Sequence, residues 1–533
     1  MKLNLSATCD VLVLGSGIAG VSAALSAAES GASVILCCKG NLFSGSSFYP
    51  GTWGLGLIGP ADADDEQDLA DTIQSVGCGM TDDALVHALV SGIHPAIEKV
   101  RNIGVKLRRA DHGAQKEFIP CFDHKHRDWN GLEFDSVRQV FSERLDALGD
   151  SIMDGWEAIE LVKADNRVCG AILSNDTKLN YVGCKALVLA TGGYGSLFQY
   201  HLCTSDVEGL GQALALDAGC KLVNMEFMQI MPGYLSPAYQ TIFNEKTFRF
   251  TQLQHPDGTP LLHEHVEGVL SIRSGHGPFT TRLPSKAVDY AIYEAWQQDA
   301  RGVKITYSDD MKRNPPEFVT TYFDWLTTAK GLTMDDPIYV GLFAHAANGG
   351  IWISPNAETG VPGLYAAGEV TGGMHGADRI GGLSTANGLV FGGKAGTAAA
   401  AAAKAQSVTP PQSWMVEELG ITNSTETLRT LQGVMSRSNL VRRTEAGLTE
   451  ALDAVAALED GLHPMETAEP AQISQLRRIK GQLLTAKCIL TASRMRQESR
   501  GSHDRADYPS ENKLLAQKLC IRKSGTQISA QFV

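Results

Sequence analysis

The sequence has little that would carry it into or through a membrane. Met1-Lys2-Leu3-Asn4-Leu5 leads straight into a strand pattern, without the apolar region and cleavage site of a secretory signal. The longest small-apolar run, Ala395 to Ala403, is interrupted by Gly396 and Thr397. It falls well short of the roughly 20 apolar residues a spanning helix needs, so it reads as a buried helix and no transmembrane segment is expected. The 11 cysteines contain no paired C-x-x-C spacing, which argues against a zinc or iron-sulfur site. Adjacent Cys37 and Cys38 read as small buried hydrophobes, and a reducing cytoplasm is the expected compartment. Basic excess is also missing: 46 Lys and Arg against 59 Asp and Glu leave a formal charge of −13. That balance disfavours a nucleic-acid surface, because phosphate binding relies on clustered cations. Small molecules are the expected partners.

What the sequence does have is size and a soluble composition. A chain of 533 residues exceeds one ordinary core and predicts two or three domains. Asp10-Val11-Leu12-Val13-Leu14 has the length and apolarity of a strand, and Gly15-Ser16-Gly17-Ile18-Ala19-Gly20 follows at once. Val21 to Ala28 then supplies strong helix formers, and Ala32 to Cys38 a second strand. In such a βαβ unit Gly15 permits the tight turn and Gly17 lets backbone approach a pyrophosphate. Gly20 lets helix and strand pack closely, with the phosphates at the helix N-terminus. A dinucleotide is the expected ligand. The acidic residue that commonly ends the second strand and holds the adenosine ribose is absent, since Cys37-Cys38-Lys39 stands there. The ribose contact must therefore differ.

Later segments are more specific. Ala186-Leu187-Val188-Leu189-Ala190-Thr191-Gly192-Gly193 reads as a buried strand ending in a sharp turn. A helix stopped by Gly219 follows, then Leu222 to Gln229. Further on come Ala344-His345-Ala346-Ala347-Asn348-Gly349-Gly350 and the long block from Gly363 through Gly368-Glu369 and His375-Gly376-Ala377-Asp378-Arg379 to Gly381-Gly382. A closing segment runs from Glu498 to Pro509. In order and spacing these resemble the flavoprotein family of succinate dehydrogenase, fumarate reductase and L-aspartate oxidase, and the resemblance spans essentially the whole chain.

The resemblance implies an α/β fold: a Rossmann-like FAD-binding domain from residues 1–224 and 340–405, an inserted α+β capping domain at 225–339, and a helical C-terminal domain at 406–533. The Pro- and Ser-rich stretch Ser407 to Ser413 supports the last boundary on composition alone. FAD contacts are implied at Gly15, Ser16, Gly17, Ala19 and Gly20; at Lys39, Ser46, Ser47, Gly51 and Gly54; at Ala158; at Ala190, Thr191 and Gly192; and at Gly368, Glu369, Arg379, Gly382 and Ser384. Glu369 is expected on the ribityl hydroxyls. The helix after Gly382 would aim its N–H groups, and about half a positive charge, at a reduced flavin. His345 and Arg379 match residues that hold a dicarboxylate, a role suited to a guanidinium fork and an imidazole donor.

A reaction on a carbon-carbon bond also needs proton exchange opposite the flavin, performed in the family by an arginine. Arg282 matches that position, ahead of a helix start marked by Pro284. Leu283 stands where the family has aspartate, and Arg249, Arg273 and Lys286 remain alternatives. Met231 replaces a substrate-contacting histidine. A threonine-glutamate pair is represented only by Glu245 and Thr247. The substrate is thus expected to be a monocarboxylate or a modified dicarboxylate. Residues 44–54 contain no histidine where membrane-complex members attach FAD, so noncovalent FAD is expected, with no metal. Gly209-Leu210-Gly211 replaces a family Gly-Asp-Gly and weakens one flavin contact.

His124, His126, His263 and His265 read as solvated, and Arg494, Arg496, Arg500 and Arg505 as paired with Glu498, Asp504 and Asp507. The implied activity is hydride exchange at a carbon-carbon or carbon-nitrogen bond beside a carboxylate, with an iron-sulfur, quinone-linked or other electron-transfer partner. The alternative is an electron-transfer flavoprotein subunit with no organic substrate of its own.

Overall fold

A computed structural model describes residues 1–108, 119–262, 267–405, 409–422 and 424–533. His263, His265, Ser407 and Val408 lie outside these residues. The organising element is β1 (Lys2–Leu14), whose last four residues, Val11 to Leu14, are wholly buried. It pairs in parallel with β2 (Val34–Cys38) on one side and with the strand Leu179–Leu189 on the other. Burial on both faces explains why these strands read as continuous apolar runs rather than as alternating ones. Helix α1 (Ile18–Glu29) connects β1 to β2. The sheet runs Ile152–Asp154, β2, β1, Leu179–Leu189, Arg167–Ser174, Glu157–Ala164, and Leu364–Ala366 also pairs with Leu179–Leu189. Only the last-named hairpin pairs, 157–164 with 167–174 and 167–174 with 179–189, are antiparallel within that path. The carboxyl ends of β1, β2 and Leu179–Leu189 therefore open on one crevice, the usual ligand position in such sheets.

The helix Leu383–Ala405 packs along α1 through glycines four residues apart. A Cβ on Gly388, Gly392 or Gly396 would come within 2.6 Å of Ile18 Cγ2, 2.5 Å of the Ala19 carbonyl oxygen or 2.1 Å of the Ala23 carbonyl oxygen. Four-residue spacing keeps the three on one helical face. The small-residue run read as a buried helix is this helix.

A second sheet is antiparallel, in the order Met228–Ser236, Ile338–Ala347, Val303–Tyr307, Thr251–Gln254. Helix Lys286–Gln298 covers it, with Trp296 3.0 Å from a Cβ position on Gly341. Three helices follow the nucleotide fold: Thr425–Asn439, Glu445–Asp460 and Pro470–Met495.

The chain does not stay helical to its end. Strands Leu519–Ser524 and Gln527–Phe532 form a hairpin, with Leu222–Val223 pairing against the first of them. The buried Leu519, Cys520 and Ile521 suit a strand, and Gly525 takes the positive φ of +59° that the turn requires. Three of the closing arginines are internal: Arg496 is ion-paired with Glu226 and Glu498, Arg500 with Glu498 and Glu511, and Arg505 with Asp507 and Glu445, whereas Arg494 is exposed beside Glu445 and Asp504 faces Arg442. His124 lies at the surface, 3.4 Å from Asp68.

Candidate active site

A single long cavity starts at the glycine loop and reaches the cap sheet. Gly15, Ser16, Gly17, Ala19, Lys39, Ser46, Ser47, Gly54, Ala158, Ala190, Thr191, Gly192, Gly368, Glu369, Arg379, Gly382, Ser384 and His345 all line it. Gly20, Gly51 and Arg282 do not. Gly20 is a packing glycine: its Cβ would sit 1.8 Å from the Gly15 carbonyl oxygen, so its hydrogen lets α1 close onto the loop. Gly51 lies between the Tyr49 ring and the Gln240 carbonyl, 2.4 Å from a Cβ position, and joins the loop to the cap rather than facing the cavity. Gly17 differs from both: a Cβ built there would have Ser47 Oγ as its nearest neighbour, at 3.4 Å, so it leaves room on the cavity side.

At the β2 end, the acid missing from the sequence arrives from elsewhere in the fold. Trp156 N–H donates to the Cys38 carbonyl at 2.8 Å and so brings Glu157 beside Lys39. Lys39 Nζ lies 2.8 Å from Glu157 Oε1 and also pairs with Glu208. Both carboxylates line the cavity. The helix Pro470–Met495 braces them: Arg478 pairs with Glu157, and Gln482 Nε2 donates to Glu208 Oε2 at 2.6 Å. Desolvation lowers the Lys39 pKa, but Glu157 and Glu208 outweigh it and raise the value overall, so the ammonium stays charged. Neither glutamate was identified from sequence, because Glu157 reaches β2 only through the parallel pairing of Ile152–Asp154 with β2, and Glu208 comes from the segment ahead of the helix Leu210–Ala218.

At the opposite end, a bulge aims His345. Gln229 pairs with Ala346 and Ile230 with Ala344, which leaves His345 as the extra residue between them. Its Nδ1 has no partner among the described residues, and desolvation together with the neighbouring Arg379 holds its pKa down at about 3, so the ring is neutral. Arg379 is oriented from the same strand pair: Nε and Nη2 both donate to Gln229 Oε1, at 3.0 and 2.6 Å. Nη1 reaches only the Ile380 carbonyl, at 3.4 Å. Glu369 Oε1 accepts the Ala347 N–H at 2.9 Å, and burial raises its carboxyl pKa. Among the described residues, Thr191 Oγ1, Asn387 Oδ1 and His375 Nδ1 on the cavity wall also lack partners. A buried polar group left unpaired costs about 1–3 kcal/mol, so several such atoms along one cavity mark a place for a polar ligand.

The cap arginines are engaged elsewhere. Arg282 Nε donates to Asp378 Oδ2 at 2.9 Å, and its guanidinium stacks over Phe122, 5.3 Å from the ring centre. Arg273 is fully buried, paired with Asp289 at 2.9 Å and donating to the His276 and Gly277 carbonyls. Arg249 stacks on Phe250, and Lys286 opens its helix; neither lines the cavity. Met231 and Glu245 do line it, whereas Thr247 turns away and donates to the Asn244 carbonyl at 2.7 Å. Leu210 and Gly211 line it as well, and a Cβ at position 211 would meet Thr191 Oγ1 at 1.9 Å.

Comparison with known proteins adds the family. A model described as "FAD binding domain" matches residues 10–250 and 279–385, and one described as "Fumarate reductase flavoprotein C-term" matches 428–528. The chain is 28% identical to the L-aspartate oxidase of Mycobacterium tuberculosis (strain CDC 1551 / Oshkosh), over 96% of this chain and 95% of that protein. It is 27% identical to a fumarate reductase (CoM/CoB) subunit of Methanothermobacter marburgensis, over 94% of each. In fold it is similar to the Mycobacterium smegmatis Sdh1 complex in the apo form, with a TM-score of 0.80 and 24% identity over 99% of this chain and 94% of that one.

Proposed function

The chain belongs to the FAD-dependent oxidoreductase family of the succinate dehydrogenase, fumarate reductase and L-aspartate oxidase flavoproteins, and from that premise we propose that it oxidises or reduces a bond beside a carboxylate. The observation that carries this is the meeting of Arg379 and His345 in one cavity, the first oriented by Gln229 and the second by a bulge. FAD, when bound, supplies two-electron hydride chemistry through its isoalloxazine.

The residues present fit that group. Gly15 to Ala19 and the N-terminus of α1 take the pyrophosphate, and Lys39 with Glu157 and Glu208 takes the adenosine ribose. Glu369 and the start of helix Leu383–Ala405 take the ribityl chain and the flavin edge. Residues 44–54 offer no histidine, which supports noncovalent attachment. Arg379 Nη1 and the neutral His345 ring hold the substrate carboxylate. Met231, an apolar and adaptable side chain, lines the cavity where the family has a histidine, which supports a monocarboxylate or modified dicarboxylate. The electron partner is molecular oxygen or an iron-sulfur or quinone-linked carrier.

The test is anaerobic. The reduced holoprotein is mixed with fumarate, its half-amide or ester, iminoaspartate analogues, aromatic enoates and, separately, oxygen. Reoxidation by modified or monocarboxylate enoates at least as fast as by fumarate is expected. Strict preference for fumarate would remove the substrate assignment, and reoxidation by carriers alone would favour a flavin subunit with no organic substrate.

A further inference from the structure

The end of the cavity at β2 is built against a helix from the far end of the chain. Ser474, Arg478, Gln482 and Thr485 recur at three- and four-residue spacing, which puts them on one face of helix Pro470–Met495. That face meets two segments of the nucleotide fold. Ser474 hydrogen-bonds to Ser174, the strand partner of Glu157, and Arg478 pairs with Glu157 itself and, at 2.7 Å, with Asp176. Gln482 Nε2 donates to Glu208 Oε2 at 2.6 Å, and Thr485 Oγ1 donates to the Gly209 carbonyl at 2.8 Å. A Cβ on Gly481 would come 2.6 Å from Leu210 Cδ1, so the helix lies directly on the segment 208–210.

Each glutamate is gripped from two sides. One oxygen of Glu157 and one of Glu208 meet Lys39, and the other oxygen of each meets the helix, at Arg478 and Gln482. A carboxylate oxygen has two lone pairs, so each of these four can still accept from a hydroxyl. The two glutamates share Lys39 and similar burial, and they differ in what the helix offers them. Glu157, desolvated but held by Lys39 and Arg478, has its pKa lowered overall, whereas burial raises that of Glu208, which has the neutral Gln482 in place of an arginine. Arg478 therefore keeps Glu157 an ionised acceptor.

We propose, resting on the placement of the adenosine ribose made above, that Arg478 and Gln482 are positioning residues for that half of FAD, and that the C-terminal helix thereby sets a preference for FAD over FMN. Arg478 fixes Glu157 and Gln482 fixes Glu208 in the cavity wall, where ribose hydroxyls donate to them. FMN ends at its phosphate and makes no use of this wall. No residue of the helix lines the cavity, so its effect on the cofactor runs through the two glutamates.

The experiment titrates full-length apoprotein with FAD and with FMN, read by flavin fluorescence, for the native chain, Arg478→Met, Gln482→Met and Glu157→Gln. Arg477→Met is the matched control: it lies one position away on the same helix and faces Glu160 of the same strand, which does not line the cavity. Arg478→Met is expected to weaken FAD binding about tenfold to a hundredfold, the scale of one hydrogen bond to a charged group, and Gln482→Met about threefold to tenfold. FMN affinity should stay within about threefold of native in both. Arg477→Met should leave both affinities within the same range, and Arg478→Lys should recover part of the loss. In the native protein, adding FAD should slow hydrogen exchange across residues 474–485 and saturating FMN should not, a reading that needs no variant to fold. Native FAD affinity in Arg478→Met, an equal loss for FMN or in Arg477→Met, or equal protection by FAD and FMN would overturn the inference. Glu157→Gln separates it from the reading beneath it. Weakened FAD binding there but not in Arg478→Met removes the role of the helix alone, and native affinity in both removes the ribose placement as well.

Discussion

Replacing Gly20 with alanine tests whether the first glycine loop is set by packing rather than by contact with the ligand. The added Cβ would lie 1.8 Å from the Gly15 carbonyl oxygen and 2.8 Å from its carbon, whereas separations under 3.0 Å essentially do not occur. Both neighbours are backbone, so the start of α1 and the loop must part by more than an ångström. Overpacking of this kind costs about 1–3 kcal/mol, and the better helix propensity of alanine returns about 1 kcal/mol. The larger consequence is for the pyrophosphate. If two of its hydrogen bonds from loop N–H groups are lost, at about 1.5–3 kcal/mol each, FAD binding weakens by roughly 10²- to 10⁴-fold. Titration of apoprotein with FAD, followed by fluorescence, reads this directly. Gly433→Ala is the matched control, because a Cβ there meets nothing within 4 Å inside helix Thr425–Asn439. It should leave FAD binding unchanged and stabilise the protein by up to about 1 kcal/mol. Native FAD affinity and melting temperature in Gly20→Ala would refute the reasoning.

Acid precipitation of the holoprotein should release all the yellow colour into the supernatant; a pellet that stays yellow would show a covalent link. Acidification tests the neutral His345. Its folded pKa of about 3 lies below the unfolded value near 6.5, so its contribution to stability is complete above pH 6.5 and is lost as pH falls toward 3. Between pH 6.5 and 4.5 the native protein should therefore lose up to about 1.4 kcal/mol per pH unit relative to His345→Gln. Parallel stability curves for the two proteins would contradict this. Lys39→Met leaves Glu157 and Glu208 facing each other, 8% and 10% exposed, without their shared cation. Removing one partner from a buried pair costs about 3–5 kcal/mol, and the lower end applies because Lys39 is itself 32% exposed. The variant should unfold at lower urea and bind FAD more weakly, with Lys39→Arg restoring much of both; an unchanged urea midpoint would show that the triad is not structural.

Much of the nucleotide site was legible because its signals are local. An apolar strand, a glycine loop and a small-residue helix follow each other in the chain, so backbone geometry alone brings Gly15, Gly17 and α1 together. The same locality made Gly20 ambiguous: a glycine needed for close packing and one needed for ligand approach look alike in sequence. Gly51 was ambiguous for the same reason, and its neighbour, the Gln240 carbonyl, is far away along the chain. The final hairpin was missed because its pairing partner, Leu222–Val223, lies some 300 residues earlier.

By itself, then, the sequence determined the βαβ dinucleotide unit, the flavin family and the presence of Arg379 and His345, since each is written in contiguous residues of fixed spacing. Only the tertiary structure decided which charges meet. It brought Glu157 and Glu208 to Lys39, turned Arg282 toward Asp378 and Phe122, and set Arg478 against Glu157. Those pairings join residues tens to hundreds of positions apart. Their energies depend on distance and desolvation, quantities that exist only once the sheets and helices have packed.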